Sequence, residues 1–224
     1  MLSPTERTRH RRLREQGVTD RSVLHSVLAT GFVCHLGVVV DGTPMVLPTV
    51  YGFTAETLYF HGSVASRSLT QDSEVCVTVT HVDGLVVSRS VFEHGVNYRS
   101  AMIYGRPRVV ADEEKLLGLR VLTEHCAPGQ WEYARQPSRK ELAATTLLAL
   151  DLAEASVKVR QGPPDDAGQG DDLLESGAVR WAGVLPLHTG WGTPEPDPAL
   201  PPEVAVPAHL HRPDRLSSKA FLQT

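Results

Sequence analysis

The residue types best suited to chemistry follow an apolar segment, at residues 62–68. Gly62 is succeeded there by three serines and an arginine: Ser63, Ser66, Arg67 and Ser68. If a helix begins at this point, its first backbone N–H groups lack intrahelical partners and its dipole favours negative charge. Serine hydroxyls add donors, and arginine adds a planar charged group that can hold two phosphate oxygens. The sequence therefore predicts a phosphate-binding turn, against the alternative of a serine-capped turn with a solvated arginine.

Three residues upstream could face a planar ligand. Pro48 lies in the middle of a predicted strand, where its missing N–H removes a hydrogen-bond donor from the ladder. This predicts a strand that is at an edge, bulged, or facing something other than a strand, such as a flat ring. Thr49 and Tyr51 lie beside it and could supply hydroxyl donors, or could be packing residues.

A second polar group comes just before an apolar run at residues 101–105. Arg99 and Ser100 are candidates for ligand contact, against the alternative of ordinary polarity where a strand begins. Lys158 and Arg160 alternate along a later strand, so we expect both on one exposed face.

The ten histidines show neither an HExxH motif nor paired-ligand spacing, so no metal site is predicted. The sequence motifs of serine hydrolases, P-loop nucleotide triphosphatases and Rossmann dinucleotide-binding folds do not occur in the chain. Those three classes therefore lose their usual support.

Bulk properties set limits on partners and location. With 224 residues, 41% of them apolar, the chain can bury a sizeable core. Its net charge of −4 gives no general reason to expect nucleic acid or an anionic membrane as a partner. Three scattered cysteines without a CxxC pair favour a reducing cytoplasm. Because no apolar run is long enough to span a bilayer, we expect a soluble protein that is not exported.

The hydrophobic pattern changes from helical spacing to short strands at Phe32. Asp41 and Gly42 form a two-residue hairpin signal between two of these strands. Strands are predicted at residues 32–40, 44–53, 57–61, 74–81, 85–90, 99–110, 146–152, 155–160 and 179–187. Helices are predicted at residues 18–29 and 112–126, with a short one at 66–71. Short strands joined by tight turns are typical of a mainly β (α+β) antiparallel barrel or sandwich.

The chain divides by composition into three parts. Residues 1–19 form a basic arm whose arginines are expected to be solvated, or alternatively to contact an anion. Residues 20–187 form the principal domain, which includes a Gly/Asp/Pro-rich loop at 162–177 that is expected to be mobile. Residues 188–224 are rich in proline without periodic apolar residues, which predicts an extended or disordered tail that could lie over a neighbouring subunit.

Several segments, taken in order, resemble the pyridoxamine 5′-phosphate oxidase-like superfamily of FMN-binding split barrels, and within it the nitroimidazole-resistance reductases. The matching segments are residues 33–37, 41–44, 47–52, 58–67, 97–105 and 181–186. This resemblance implies a six-stranded antiparallel split barrel with peripheral helices. It also implies a homodimer that holds FMN in a cleft between its subunits.

The resemblance assigns roles to individual residues. It places Ser63, Ser66 and Arg67, in the turn that begins at Gly62, at the phosphate. The isoalloxazine ring would lie along Pro48, Thr49 and Tyr51, and the site would be completed by Arg99, Ser100 and Trp181. His61 would neighbour the ring or the substrate. The chain departs from true pyridoxamine phosphate oxidases at Ser68, where their motif has lysine, and after Trp181, where their arginine and histidine segment has no counterpart, so oxidation of vitamin B6 is not implied.

The implied function is that of a flavin-dependent reductase of small organic acceptors, such as nitro-aromatic or quinone-like compounds. In such a protein the flavin carries the electrons, and Arg99 or Lys158 could stabilise the reduced ring. A non-catalytic flavin-binding or redox-sensing module is a second interpretation. The resemblance also admits a deazaflavin-binding protein, with the N-terminal arginines along the longer anionic tail, and a haem-binding protein with His61 or His94 as axial ligand.

Overall fold

The structure, a computed structural model, describes residues 2, 5–10, 14–61, 74–168 and 172–212. Four helices lie in these ranges: α1 (Arg21–Thr30), α2 (Asp112–Cys126), α3 (Gln130–Tyr133) and α4 (Arg139–Ala144). The strands are β1 (Gly17–Val18), β2 (Val33–Val40), β3 (Thr43–Phe53), β4 (Thr57–His61), β5 (Val75–Val87), β6 (Gly95–Gly105), β7 (Arg108–Val110), β8 (Leu147–Asp151), β9 (Ala155–Arg160) and β10 (Gly183–Pro186). No helix in the described part of the chain has both the length and the apolar character needed to cross a membrane.

The strands form one antiparallel sheet in the order β1-β9-β6-β5-β2-β3-β4-β8-β7, and β10 pairs with β5 beyond the end of β2. The sheet curls, so that the inner faces of β2, β5 and β6 pack with those of β8 and β9 and with helix α1 in one apolar core. Helix α2 covers the opposite face of β4 and β8 with a smaller cluster around Leu122 and Tyr59. The mainly β half-barrel is confirmed. The expectation of six strands is corrected, because the described residues form ten, of which β1, β7 and β10 are short.

The predicted hairpin turn between β2 and β3 is confirmed. Asp41 and Gly42 both have left-handed backbone angles, with φ of 49° and 75°. Two successive residues with positive φ match the right-handed twist of the flanking strands. The turn thus fixes the register in which Val40 faces Thr43.

The predicted strands at 74–81 and 85–90 are one continuous strand, β5. The predicted break at residues 82–84 is instead a register shift between Val82 and Gly84 in the pairing with β6. A bulge keeps the strand going while adding one unpaired residue. Gly84 is required there because a Cβ atom would lie 2.8 Å from the Leu185 carbonyl oxygen of β10.

In the described part of the N-terminal arm, Arg7 and Arg9 are exposed, and both pair with carboxylates. Arg7 forms ion pairs with Glu74 and Glu154, both at 2.6 Å. The hydrogen bonds from Arg7 and Thr5 lower the pKa of Glu154 to about 2. The arm is therefore fastened to the barrel at the end of residues 62–73 and at the turn before β9.

The loop expected to be mobile is also fastened. Asp166 is fully buried and accepts hydrogen bonds from the backbone N–H groups of Arg89 and Ser90, at 2.5 and 2.9 Å. The Arg89 side chain adds ion pairs to Asp166 and Asp172. A carboxylate with this many donors is a structural anchor that holds residue 166 against the segment after β5.

The C-terminal segment has no strand between residues 187 and 212, and it turns back onto helix α2. Arg212 Nη2 donates to the Cys126 carbonyl oxygen at 2.6 Å, and His209 Nε2 donates to Gln130 Oε1 at 2.9 Å. Trp191 stacks on Phe32, with ring centroids 5.7 Å apart. The extended tail predicted from proline content is thus held by specific polar and aromatic contacts.

Candidate functional site

The sheet opens where β4 separates from β3. Strand β3 pairs with β2 from Thr43 to Val50, but with β4 only from Tyr51 to Phe53. Between Thr43 and Thr49, the side of β3 that faces away from β2 has no strand partner in the described residues. Strand β4 ends at His61, beside this opening, and residues 62–73 follow. The unpaired N–H and C=O groups along a strand edge can donate hydrogen bonds to a ligand and accept them from it.

Pro48 lies on this open edge. The Tyr51 N–H donates to the Phe32 carbonyl oxygen at 3.2 Å, toward β2. Because successive backbone groups alternate between the two sides of a strand, the nitrogens of Pro44, Val46 and Pro48 face the opening. Two of these three residues have no N–H, so the edge presents carbonyl oxygens and the single N–H of Val46. The sequence prediction of an edge position for Pro48 is confirmed, and its ring is exposed.

Thr49 and His61 meet at the same opening. Thr49 Oγ1 donates to the His61 carbonyl oxygen at 3.0 Å, which ties β3 to the last residue of β4. The His61 side chain is exposed. The structure therefore brings together three predicted site residues, Pro48, Thr49 and His61, at the point where the strands part.

A polar strip runs across the outer face of the sheet from Pro48, and the sequence analysis identified only part of it. Pro48 faces His35 on β2, and His35 faces Thr78 on β5. Ser100 and Lys158 face each other on β6 and β9 in the next row. We call these five residues the outer strip. Three strand spacings and an offset of two residues along the strand place Ser100 roughly 16 Å from Pro48.

His35, like Thr78, is a member of the outer strip that sequence reasoning missed. It is exposed between the buried residues Cys34 and Leu36. The alternation of inward-facing and outward-facing side chains along β2 could have identified it, because a polar residue between two inward-facing apolar residues must face outward.

Tyr51 lies inside the core, contrary to the expectation that its hydroxyl faces a ring. The residue is completely buried, and its hydroxyl donates to the carbonyl oxygens of Leu28 and Gly31, at 2.6 and 2.9 Å. Burial raises the pKa of this phenol far above its usual range. The hydroxyl satisfies carbonyl groups at the end of helix α1, which have no intrahelical partner.

Arg99 is likewise committed to the protein interior. Only 9% of the residue is exposed, and its guanidinium group is paired with the Asp83 carboxylate. Arg99 Nη1 also lies 3.2 Å from Thr30 Oγ1. The expectation that Arg99 offers an unpaired charge to a ligand is corrected, because that charge is already balanced by Asp83.

Two histidine side chains also donate hydrogen bonds to carbonyl oxygens at the C-terminal end of helix α1. His81 Nε2 donates to the Val27 carbonyl oxygen at 2.9 Å, and His125 Nε2 donates to the Gly31 carbonyl oxygen at 2.7 Å. Burial lowers the pKa of both rings, so both are neutral near pH 7. Gly31 is required at this point because a Cβ atom would lie 2.6 Å from the His81 ring. Together with Tyr51, these contacts hold the segment from which β2 begins.

The remaining predicted residues lie apart from the opening or outside the described residues. Gly62, Ser63, Ser66 and Arg67 fall within residues 62–73 and are outside the described residues. Trp181 is 62% exposed, just before β10. His94 is exposed at the tip of the β5–β6 hairpin, where its Nδ1 donates to the Ser90 carbonyl oxygen at 2.9 Å. The proposed axial ligands His61 and His94 therefore both have exposed rings.

The chain matches a family model described as pyridoxamine 5′-phosphate oxidase over residues 20–159. No curated protein matches it. Among solved structures, it is 35% identical to the flavocytochrome Anf3 from Azotobacter vinelandii, with 93% of this chain and 97% of that chain covered and a TM-score of 0.83. It is 37% identical to an FAD and haem binding protein from Mycobacterium smegmatis, with 87% and 95% covered and a TM-score of 0.80.

A third solved structure shares the fold at lower identity. This protein from Bacteroides thetaiotaomicron, assigned to 5-nitroimidazole antibiotic resistance, is 21% identical, with a TM-score of 0.55. The match covers 64% of this chain and 86% of that chain. The likeness therefore shows a shared fold and leaves about a third of this chain unmatched.

Proposed function

The chain belongs to the pyridoxamine 5′-phosphate oxidase family, and on this premise we propose that it is a flavin-binding redox protein that also binds haem. One observation carries the proposal. The two similar proteins above 30% identity, a flavocytochrome and an FAD and haem binding protein, match this chain over 93% and 87% of its length. They are themselves covered almost completely, at 97% and 95%, so the similarity includes whatever parts of those chains hold their cofactors.

The opening between β3 and β4 is the site that fits the flavin ring. Val46 offers an N–H and a carbonyl oxygen on the open edge, and Pro48 offers an exposed apolar ring beside them. An isoalloxazine ring has both a polar edge and flat apolar faces, so its edge can hydrogen-bond to the Val46 backbone and a face can pack on the Pro48 ring. The proposal keeps Ser63, Ser66 and Arg67 as contacts of the flavin phosphate, since they follow His61 directly in the sequence.

The flavin is proposed to be FMN or FAD. A deazaflavin was expected to need the N-terminal arginines along its anionic tail, and Arg7 is instead paired with Glu74 and Glu154. A bound flavin would accept two electrons from a reductant such as a reduced nicotinamide and pass them to an acceptor.

Within this proposal the protein's own side chains bind the flavin and orient it. Arg99 is neutralised by Asp83, and Lys158 Nζ lies 5.7 Å from the centre of the Tyr98 ring. We propose a small organic acceptor, such as a nitro-aromatic or quinone-like compound. A protein that holds the flavin without turnover, as a redox sensor, is the second outcome that the activity assay distinguishes.

We also propose that two subunits associate through the outer face of the sheet. On this face the β2–β3 hairpin exposes two apolar side chains near its tip, Val39 and Val46. The same face carries the outer strip, and the two prolines on the adjacent edge prevent that edge from pairing with further strands. Sedimentation equilibrium should give twice the mass of one chain.

A cytoplasmic location is part of the proposal. The three cysteines Cys34, Cys76 and Cys126 are free thiols. Burial raises the pKa of Cys34 to about 12, so this thiol is an inert part of the core. Free thiols persist most readily where the surroundings are reducing.

The experiment that tests the proposal is quantification of the cofactors in protein purified from cells supplied with riboflavin and a haem precursor. Acid release and chromatography should identify one flavin per chain, and a pyridine haemochrome assay should detect haem. Oxidation of NADPH by the loaded protein, with menadione or a nitrofuran as acceptor, separates a reductase from a sensor. Protein that contains neither cofactor and cannot be reconstituted with FMN, FAD or haemin would overturn the proposal.

A further inference from the structure

His35 lies beside the proposed flavin site, and the fold itself makes no use of its ring. The residue faces Pro48 on β3 and Thr78 on β5. Its side chain projects from the outer face of the sheet, because its neighbours Cys34 and Leu36 are buried. The imidazole is exposed and makes no hydrogen bond or ring contact within the described part of the chain.

Most other histidines are held by the protein. Six of them have a ring nitrogen within 3.1 Å of an oxygen atom: His10, His25, His81, His94, His125 and His209. Of the four histidines without such a partner among the described residues, His188 and His211 follow the last strand. The other two, His35 and His61, are in the barrel and lie next to the opening between β3 and β4. His35 therefore keeps both ring nitrogens available to a ligand at the opening.

The pairing of His35 with Pro48 brings the two side chains close together. The backbone groups of Pro48 face away from β2, so the two residues form a non-hydrogen-bonded pair. In such pairs the Cα atoms are about 4.5 Å apart, and the side chains are closer than in hydrogen-bonded pairs. An imidazole also extends farther from the backbone than a proline ring does. A flat ligand that packs on Pro48 therefore has the His35 imidazole at its side.

The composition of the outer strip points to the same side chain. Of the five residues, only His35 and Lys158 carry a titratable group. Four strand spacings and an offset of two residues place Lys158 roughly 20 Å from Pro48. A histidine can both donate a proton and regain it near neutral pH, which makes it the most frequent general acid and base in enzymes. His35 is therefore the residue of the outer strip that is suited to proton transfer at the opening.

We propose that His35 is a catalytic residue that donates a proton to the electron acceptor, and that this acceptor is a quinone-type compound. The inference rests on the proposed flavin-dependent reductase function and deepens it. Reduction of a quinone to a hydroquinone takes two electrons and two protons. A hydride from the reduced flavin supplies both electrons and one proton, and the quinone oxygen takes the second proton from the protonated His35 ring. The flavin is left oxidised, and the ring regains its proton from water.

The experiment is a single-turnover measurement on the full-length, flavin-loaded protein. Protein reduced with stoichiometric dithionite is mixed with menadione, and the return of oxidised flavin is followed by stopped-flow absorbance. We expect His35→Gln to slow this step about a hundredfold, which is a typical contribution of general acid catalysis. Ferricyanide accepts an electron without a proton, so its reduction by the same variant should stay within about twofold of wild type.

Equilibrium binding of menadione provides a readout that needs no turnover. It is measured on the oxidised protein from the change in flavin absorbance. Glutamine can still donate a hydrogen bond to a quinone oxygen, so His35→Gln should bind menadione within about threefold of wild type. His35→Leu cannot donate, and it should bind menadione about tenfold more weakly. A merely structural histidine would not separate menadione from ferricyanide in this way.

The control is His188→Gln, which removes an exposed histidine beyond the last strand and should change neither rate. His61→Gln tests the rival proton donor at the opening. Menadione reduction at the wild-type rate in His35→Gln, an equal loss with ferricyanide, or a selective loss in His61→Gln instead would overturn this inference. Flavin content and ferricyanide reduction by the wild-type protein would still support the proposed function in those cases. Protein that binds no flavin would remove both.

Discussion

Arg99 and Asp83 form a two-pronged ion pair beneath the outer face of the sheet. Arg99 Nε and Nη2 each donate to a different oxygen of the Asp83 carboxylate, both at 2.8 Å. Asp83 reaches this position because it occupies the bulge of β5, directly across from strand β6. The bulge that interrupts the β5–β6 hydrogen-bond ladder therefore also places the carboxylate that balances the charge of Arg99 on β6.

Replacing Arg99 with methionine should destabilise the fold, because Asp83 then keeps a poorly solvated charge without a partner. We expect the free energy of unfolding to fall by about 3 kcal/mol in urea denaturation. The double variant Asp83→Asn with Arg99→Met should recover part of that loss, since no unpaired charge remains. A loss below about 1 kcal/mol in the single variant would show that the pair behaves as an ordinary surface ion pair.

Tyr51→Phe should lower stability without affecting the flavin. The change leaves the Leu28 carbonyl oxygen without its buried side-chain donor, while the Gly31 carbonyl keeps His125 Nε2, and the loss costs about 1–3 kcal/mol. Because Tyr51 has no exposed surface, flavin affinity measured by fluorescence quenching should stay within about twofold of wild type. Tyr133→Phe is the control for loss of a hydroxyl, since Tyr133 is 62% exposed. Weakened flavin binding by folded Tyr51→Phe protein would place the ring closer to the core than we infer.

The stability of the protein should fall between pH 7 and pH 5. Burial lowers the folded-state pKa of His81 and His125, whereas in the unfolded chain both titrate near about 6.5. Below that value the unfolded chain binds more protons than the folded one, so acidification favours unfolding, by at most about 1.4 kcal/mol per pH unit for each ring. Carboxylates such as Glu154 and Glu141, whose folded pKa is lowered to about 2, lose their contribution only below about pH 4.5, the unfolded value for Glu.

Variants of the same two histidines provide the check on this window. Glutamine can donate to the same carbonyl oxygens without titrating, so we expect His81→Gln with His125→Gln to give a flatter dependence of unfolding free energy on pH. An unchanged slope in that double variant would assign the pH dependence to other groups.

Thr49→Val should affect the opening itself. The change removes the hydrogen bond that ties β3 to the end of β4, at a cost of about 1 kcal/mol in stability. Because the end of β4 leads into the proposed phosphate contacts, flavin binding should weaken by about tenfold. Thr43→Val, at the exposed far end of the same strand, should change neither property. Equal flavin affinity in Thr49→Val and wild type would separate this hydrogen bond from the site.

The sequence was a good guide to elements with a clear period or turn signal. Strands β4 and β9 and helix α2 have the predicted bounds, and the left-handed pair Asp41 and Gly42 marks its hairpin. It failed between residues 81 and 85, where it predicted a break, because an Asp-Gly pair fits a bulge as well as a turn. Only the pairing of β5 with its neighbours distinguishes the two.

The sequence was a poorer guide to the role of single polar side chains. Arg99 and Tyr51 read as ligand contacts because both are polar groups in apolar strands. Their partners, Asp83, Leu28 and Gly31, are distant in the chain and come close only when the sheet curls over helix α1. The path of the C-terminal segment gave no signal at all, because residues without periodicity acquire their position from contacts such as Trp191 with Phe32.

A crystal structure of the protein loaded with its flavin is the most direct test of the central claim. The account predicts that the isoalloxazine ring lies against the open edge of β3 at Val46 and Pro48. It also predicts that the flavin phosphate lies at residues 62–67. It also predicts that a second subunit closes the cleft. A ring bound elsewhere, with the edge of β3 covered by protein, would contradict the account.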